Sequence, residues 1–328
     1  MEFRELGRSG IRVSPLALGT WAIGGGPWWG ASDDEQSVAA IRAALDAGVN
    51  LVDTAPIYYF GHSEEVVGRA LKDGYREKAV VATKCGLPWY KDAPGPLWFE
   101  QDGGRVVSCC RADFIRREAE DSLRRLGVDV IDLYQVHLPQ QAGLDVPVDE
   151  TMGALLDLKK AGKVRAVGVS NFTMQQMKDY LACGAVDVLQ NKYSMLDRAA
   201  EAEVLPFCRG QGISFLAYQP LEQGLLTGKI RPETELAPGT FRNAIKWYEP
   251  AWRGRICAML DGWADLTAKY ACTTAQLVIA WTAAQDGVTA VLCGARKVRN
   301  ATENAAAARV ELEAGDLARM RADVEALR

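Results

Sequence analysis

G-V-N-L-V-D-T-A-P-I-Y-Y-F-G-H-S-E-E-V-V-G-R-A-L, residues 48–71, contains one complete structural unit. An apolar run, Leu51-Val52, ends in Asp53. A polar loop with two adjacent tyrosines follows, and after it E-V-V-G-R-A-L reads as a helix. So short and apolar a run before a helix is the mark of a strand covered on both faces. The same unit recurs along the chain. Strands are expected at 16–19 (L-A-L-G), 51–53, 80–84, 130–137, 166–170, 188–191, 214–218 and 289–294. Between them lie helical patterns such as 34–48, where Gly48 is a helix stop, and 113–127. Eight β-then-α units of this size imply the α/β class and a closed (β/α)8 TIM barrel rather than an open sheet. No linker or internal repeat interrupts them, so residues 1–328 read as a single barrel domain.

Two short runs, F-R-E-L and I-R-V-S, flank G-R-S-G and predict an N-terminal β-hairpin closing the bottom of the barrel. From about 297 onward the tail predicts extra C-terminal helices. Two insertions, 86–110 and roughly 227–254, read as long loops. The second contains P-G-T-F-R-N-A-I-K-W-Y-E-P-A-W-R-G-R, and its aromatic content, like that of the first, favours function.

The composition is 48% apolar and 24% charged, as in soluble globular proteins. A net charge of −4 argues against nucleic acid or an anionic membrane as the main partner. No apolar run approaches the roughly 20 residues that span a bilayer, and the first residues lack the apolar core of a signal peptide. A cytoplasmic location is therefore expected. The eight cysteines are scattered without C-x-x-C spacing, and adjacent Cys109 and Cys110 are poorly placed to share a bridge; buried free thiols are expected. With His62 and His137 as the only imidazoles, no metal site is expected.

A barrel enzyme keeps its chemistry at the C-terminal ends of its strands. Those ends read Gly19-Thr20-Trp21, Asp53, Lys84, His137, Ser170-Asn171, Gln190-Asn191, Tyr218 and Gly294-Ala295-Arg296. Lys84 paired with Asp53 would hold an ammonium beside Tyr58. At about 4 Å and an effective dielectric near 20 that attraction is about 4 kcal/mol. It is enough to move a phenol from about 10 toward 7. A tyrosine so tuned donates a proton to a carbonyl, and His137 can orient that carbonyl. Such a set holds no hydride and calls for a reduced cofactor. Plainer readings stand beside these. Asp53–Lys84 also reads as a barrel salt bridge, His137 as a satisfied core histidine, and W-A-I-G-G-G-P-W-W-G (21–30) as a flexible loop.

Taken together, these fragments resemble the aldo-keto reductase family over essentially the whole chain. The matches are L-A-L-G-T-W (16–21), D-T-A-P-I-Y-Y-F-G-H-S-E (53–64), T-K (83–84) and I-D-L-Y-Q-V-H (131–137). They continue with G-K-V-R-A-V-G-V-S-N-F (162–172), L-Q-N-K-Y-S (189–194), Y-Q-P-L-E-Q-G-L-L-T-G-K (218–229) and G-A-R-K-V-R-N-A-T-E-N (294–304). The resemblance implies a barrel that binds NADP(H) at its mouth, with Asp53, Tyr58, Lys84 and His137 as the catalytic tetrad. It implies that Ser170, Asn171 and Gln190 hold the carboxamide and that Tyr218 stacks on the nicotinamide. Gln219, Leu221 and Gln223 would line the pyrophosphate path, with Pro220, Gly224, Leu225 and Lys229 also among the cofactor-binding residues. Gly294, Ala295, Arg296, Asn300, Glu303 and Asn304 would meet the adenosine end, and Gly19, Thr20, Trp21 and Asp53 complete the cofactor set. The chain lacks G-x-G-x-x-G, the fingerprint of the other common nicotinamide fold.

Three positions depart from the family pattern: Tyr59, where most relatives have Gly; Gln219, where many have Ser; and Asn300, where many have Gln or Arg. The cations Arg296, Lys297 and Arg299 lean the expectation to NADP over NAD, since arginine pairs well with a 2′-phosphate. Trp21, Trp28, Trp29, Tyr59, Trp89, Trp98, Trp247 and Trp252 are the candidate substrate wall. Aromatic faces beside polar groups suit a sugar, so the expected activity is reduction of a sugar or sugar-derived carbonyl, or its reverse. Packing of the loops is the plainer reading of each tryptophan. Two alternatives are a cofactor-binding regulatory subunit of the same fold and a Schiff-base barrel enzyme using Lys84.

Overall fold

In the computed structural model, residues 1–236 and 240–327 are described. Residues 237–239, within the second insertion, and Arg328, at the end of the expected domain, lie outside them. The strands are β1 (Arg4–Glu5), β2 (Arg12–Val13), β3 (Leu16–Gly19), β4 (Leu51–Asp53), β5 (Val80–Cys85), β6 (Leu97–Gln101) and β7 (Gly104–Val107). They continue as β8 (Ile131–Val136), β9 (Val164–Ser170), β10 (Val188–Lys192), β11 (Ser214–Tyr218) and β12 (Val288–Gly294). Among the described residues, β3, β4, β5, β8, β9, β10, β11 and β12 close a parallel barrel in that order, β12 pairing back onto β3. All eight expected strands are present, three with the expected bounds and the others with an end shifted by one or two residues.

Helices follow the strands as the apolar spacing requires. Helix Asp34–Asp46 is capped by Asp33, which accepts from the Gln36 amide at 3.0 Å. Beyond it Gly48 turns the chain at φ 92°. Helices Met174–Cys183 and Thr274–Ala283 each begin with a Thr-x-x-Gln capping box. The tail supplies helices Val298–Ala306 and Ala314–Glu325. None of the described helices is long and apolar enough to cross a membrane.

In their described residues both insertions carry regular elements. Residues 97–107 form an antiparallel hairpin, β6–β7, around Asp102-Gly103. Both turn residues have positive φ, 49° and 76°, the geometry that Asp-Gly favours in a two-residue hairpin turn. The second insertion holds short helical turns at Phe241–Ala244 and Lys246–Tyr248, then helix Pro250–Asp261.

The barrel interior is layered by the two-residue period of its strands. The lower layers are apolar: Ala17, Leu51, Ala82, Leu133, Ala166, Val188, Leu216 and Ala290. Leu6, Ile11 and Val13 of the β1–β2 hairpin plug them from below. Two residues farther along four of these strands the side chains become polar: Leu51 gives way to Asp53, Ala82 to Lys84, Leu133 to Gln135 and Val188 to Gln190. This buried polar layer is the floor of the open end.

Candidate active site

Lys84 is 1% exposed, and its ammonium has three partners. It donates to Asp53 Oδ1 at 2.6 Å, to the Thr54 carbonyl at 2.9 Å and to the Tyr58 hydroxyl at 3.1 Å. Asp53 Oδ2 accepts from Gln190 Nε2 at 2.8 Å and from Gln135 Nε2 at 3.2 Å. Each carboxylate oxygen therefore meets fixed donors, as a buried charge requires. The His137 ring stands edge-on to Tyr58, with centroids 5.8 Å apart.

Burial opposes the charge on Lys84, yet Asp53 and the Tyr58 oxygen outweigh it and hold the ammonium above the ordinary lysine value. Burial, joined by the nearby Lys84 charge, pushes His137 well below its ordinary value, so the imidazole is neutral. Tyr58 corrects the sequence argument. Withdrawal of its phenol from water raises its pKa; Lys84 lowers it, Asp53 raises it again, and the sum stays above the ordinary tyrosine value. The expected descent toward 7 left out the desolvation of the phenolate.

The loop carrying Tyr58 is fixed from beneath. Ser63 donates to the Thr20 carbonyl at 3.0 Å and shares hydrogen bonds with the hydroxyls of Thr20 and Thr54. Glu64 is fully buried, accepting from Thr83 and from Arg125, each at 2.6 Å. The polar pair closing the opening motif thus anchors the loop. Tyr59 adopts φ 58°, the left-handed region where glycine is at ease. Its ring is 37% exposed and faces Gly26, where a Cβ would come within 2.6 Å of it. A Cβ at Gly24 would meet the Tyr58 carbonyl at 2.7 Å. These glycines in 21–30 permit close packing of that segment on the Tyr58 loop.

Above the floor opens a cleft of about 590 Å3. Asp53, Tyr58 and His137 line it, with Lys84 beneath. Of the expected cofactor residues, Gly19, Thr20, Trp21, Ser170, Asn171, Gln190, Tyr218, Gln219, Pro220, Leu221, Gln223, Gly224, Lys229, Gly294, Ala295, Arg296, Asn300, Glu303 and Asn304 line it too. Leu225 does not; it is fully buried in the core. Asn171 is tied to the His137 carbonyl at 3.0 Å and accepts from the Tyr218 hydroxyl at 2.6 Å.

The expected substrate wall divides. Trp21 and Trp29 line the cleft, ring edge to ring face at 5.2 Å, while the other six aromatics are not part of its lining. Trp28 and Trp98 are exposed on the rim, Trp28 bonded to Gln101. Trp89 packs against Phe60 and Tyr90. Trp247 and Trp252 pack on each other at 5.0 Å and against the core. Sequence reasoning missed Arg242, which lines the cleft and donates to the Gln223 carbonyl at 3.1 and 3.0 Å. It also missed Gln135, signalled only as a glutamine in an apolar strand.

The cleft suits an extended dinucleotide. Gln219, Glu222, Gln223 and Gly224 all have positive φ, at 57°, 43°, 54° and 101°. The Gln223 side-chain amide nitrogen is buried without a partner, a donor held for an acceptor. Lys229, Arg296 and Lys297 supply cations along the same wall. Among the described residues no group of three side chains could hold a metal ion.

Comparison with known proteins agrees with this architecture. The sequence model described as "Aldo/keto reductase family" matches residues 15–325. The chain is 41% identical over 323 residues to an NADH-specific methylglyoxal reductase of Escherichia coli (strain K12), covering 98% of each. Among solved structures, a glycerol dehydrogenase from Gluconobacter oxydans superposes with a TM-score of 0.86 at 36% identity, over 99% of this chain and 94% of that one. An aldo/keto reductase from Klebsiella pneumoniae in complex with NADP and acetate gives 0.71 at 28% identity, over 95% and 91%.

Proposed function

Because the chain belongs to the aldo/keto reductase family, we propose that it reduces a small, oxygen-rich carbonyl compound with NADPH, Tyr58 serving as the proton donor. Residues 1–328 act as one barrel domain in this reading. The observation that carries it is the Lys84 ammonium lying between Asp53 and the Tyr58 hydroxyl on the cleft floor.

The dinucleotide, when bound, supplies the hydride that the protein lacks. The chain's own groups do the rest. His137, neutral, donates a ring N–H to the carbonyl oxygen and orients it. Tyr58 passes its proton to that oxygen as the alcohol forms. Lys84 stays charged and stabilises the phenolate left behind, while Asp53 holds the lysine in place. Trp21 and Trp29 wall the cleft beside these groups. Since the phenol is held above the ordinary tyrosine value, it is protonated at neutral pH. Reduction is then expected to be flat across the neutral range and to fall only in strong alkali. Alcohol oxidation, which needs the phenolate, rises with pH.

Lys297 and Arg299 are exposed at the adenosine end and, with Arg296, support a 2′-phosphate. Methylglyoxal and glycerol, named for two relatives, are three-carbon compounds; they support a triose or sugar-derived substrate. A Schiff-base role for Lys84 is disfavoured by its 1% exposure and its retained charge. The regulatory-subunit alternative is disfavoured by the complete floor. The test is NADPH and NADH oxidation with methylglyoxal, glyceraldehyde and benzaldehyde. Turnover of the first two, faster with NADPH, supports the reading. Exclusive use of NADH or of benzaldehyde overturns its cofactor or substrate half.

A further inference from the structure

Gln135 is fully buried and lies below the cleft rather than in its lining. It stands on β8, two residues beyond Leu133 and two before His137, so its side chain enters the barrel at the level of Asp53 and Gln190. Its Nε2 donates to Asp53 Oδ2 at 3.2 Å, and its Oε1 accepts from Gln190 Nε2 at 3.4 Å. The barrel makes room for it: β9 places Gly168 directly opposite Gln135, and a Cβ at 168 would stand 2.9 Å from the Gln135 Cγ. An apolar side chain of the same size would fill this space without an amide to satisfy. The amide has its effect on the carboxylate.

We infer that Gln135 is a positioning residue for proton transfer at Tyr58: its amide holds the Asp53 carboxylate from inside the barrel, so that Oδ1 stays on Lys84 whatever occupies the cleft. Gln190, the other donor to Oδ2, lines the cleft and is open to competition from a bound ligand. Gln135 is beyond a ligand's reach and is the constant donor. Without it the carboxylate is less neutralised, and its negative field at the phenol strengthens. The other titratable groups around Tyr58 are Lys84 on β5, His137 after β8 and Tyr218 on β11; none is in hydrogen-bond contact with Gln135.

The inference rests on Tyr58 being the proton donor, and the test separates the two. Gln135→Met keeps the volume and removes the donor. Gly168→Ala displaces the glutamine stem from the opposite strand. Each is prepared with 3-fluorotyrosine, whose more acidic phenol titrates within the stable range of a folded protein. The Tyr58 fluorine resonance is identified by its absence in Tyr58→Phe and followed against pH without cofactor. The titration midpoint is expected to rise by about half to one pH unit, a three- to tenfold change in acid constant, when one charge-assisted donor is lost. In turnover the alkaline limb of alcohol oxidation moves by the same amount, with the carbonyl KM within twofold. An unmoved midpoint in Gln135→Met overturns the inference and leaves the reductase reading intact, as does a fall in kcat without movement of the limb. Full turnover by Tyr58→Phe overturns the reading and the inference together. If Gly168→Ala does not fold, Gln135→Met decides alone.

Discussion

The floor of the cleft and its rim are built by opposite means. On the floor, Asp53, Lys84, Gln135 and Gln190 project from β4, β5, β8 and β10 at a common level, each buried and bonded to another of the set. On the rim, the 21–30 segment meets the Tyr58 loop and the β6–β7 hairpin through exposed tryptophans, close-packed glycines and single hydrogen bonds such as Trp28 to Gln101. In the proposed reaction the floor fixes the chemistry, because its geometry follows from strand register. The rim sets what is admitted, and it can change without disturbing the register below.

This contrast is broken most sharply at Tyr58. Tyr58→Phe is expected to lower kcat by about a thousandfold, the scale of a lost general acid, while Tyr59→Phe stays within about twofold. The reverse result, in a steady-state assay of NADPH oxidation, would move the acid from floor to rim. Lys84→Met comes next. It leaves the Asp53 carboxylate buried and unpaired, so a loss of about 3–5 kcal/mol in denaturant unfolding is expected, with kcat down about a hundredfold. An unchanged unfolding midpoint would mean that the floor is less tightly coupled than its bonds suggest.

Arg296 tests the rim. Its guanidinium donates to the carbonyls of Trp29 and Ala31 at 3.1 and 3.2 Å, tying the adenosine end to the substrate wall. Arg296→Met should raise the KM of both cofactor and carbonyl about tenfold, with kcat nearly unchanged and stability within about 0.5 kcal/mol. A change in cofactor KM alone would show that the tie does not shape the substrate wall.

Glu118, on helix Ala112–Leu126, sharpens the comparison from outside the cleft, beneath the turn that follows β5. Its Oε2 accepts from the Gly86 amide at 2.8 Å, its Oε1 is buried without a partner, and burial pushes its carboxyl up to about 8. The folded pKa is raised above the unfolded value. Its contribution is therefore full below about pH 4.5 and is lost as pH rises through about 8. Glu118→Gln should be near neutral at pH 5 and stabilise by about 1–3 kcal/mol at pH 9, read from thermal unfolding at both. Smallest of all, Trp247→Ala should leave the carbonyl KM within about twofold, since its ring packs on Trp252 outside the cleft.

The floor was legible in the sequence because strand ends are legible: an apolar run that stops at Asp53, Lys84 or His137 marks both the strand and what it delivers. The family motifs extended this to nearly every residue lining the cleft. Gln135 escaped because it lies inside its strand, where only the two-residue period separates a barrel-facing glutamine from a lapse in hydrophobicity. The pKa of Tyr58 escaped because charges can be counted from sequence and desolvation cannot. On the rim, Asp102-Gly103 is a readable hairpin signal set in an insertion whose Gly, Pro and Trp content reads as loop. The six aromatics outside the cleft show the limit of composition: a tryptophan packed on a helix and one facing a ligand look alike until the backbone is placed.

The β1–β2 hairpin has a consequence for the enzyme's cycle. Leu6, Ile11 and Val13 stopper the barrel, and the apolar rings of side chains above them offer a proton no wire to follow. In the proposed reaction, a phenolate left at Tyr58 is therefore recharged from the same side by which the alcohol departs. Resetting the acid and releasing the product share one doorway, so solvent isotope effects should be felt in the release step as well as in the chemistry.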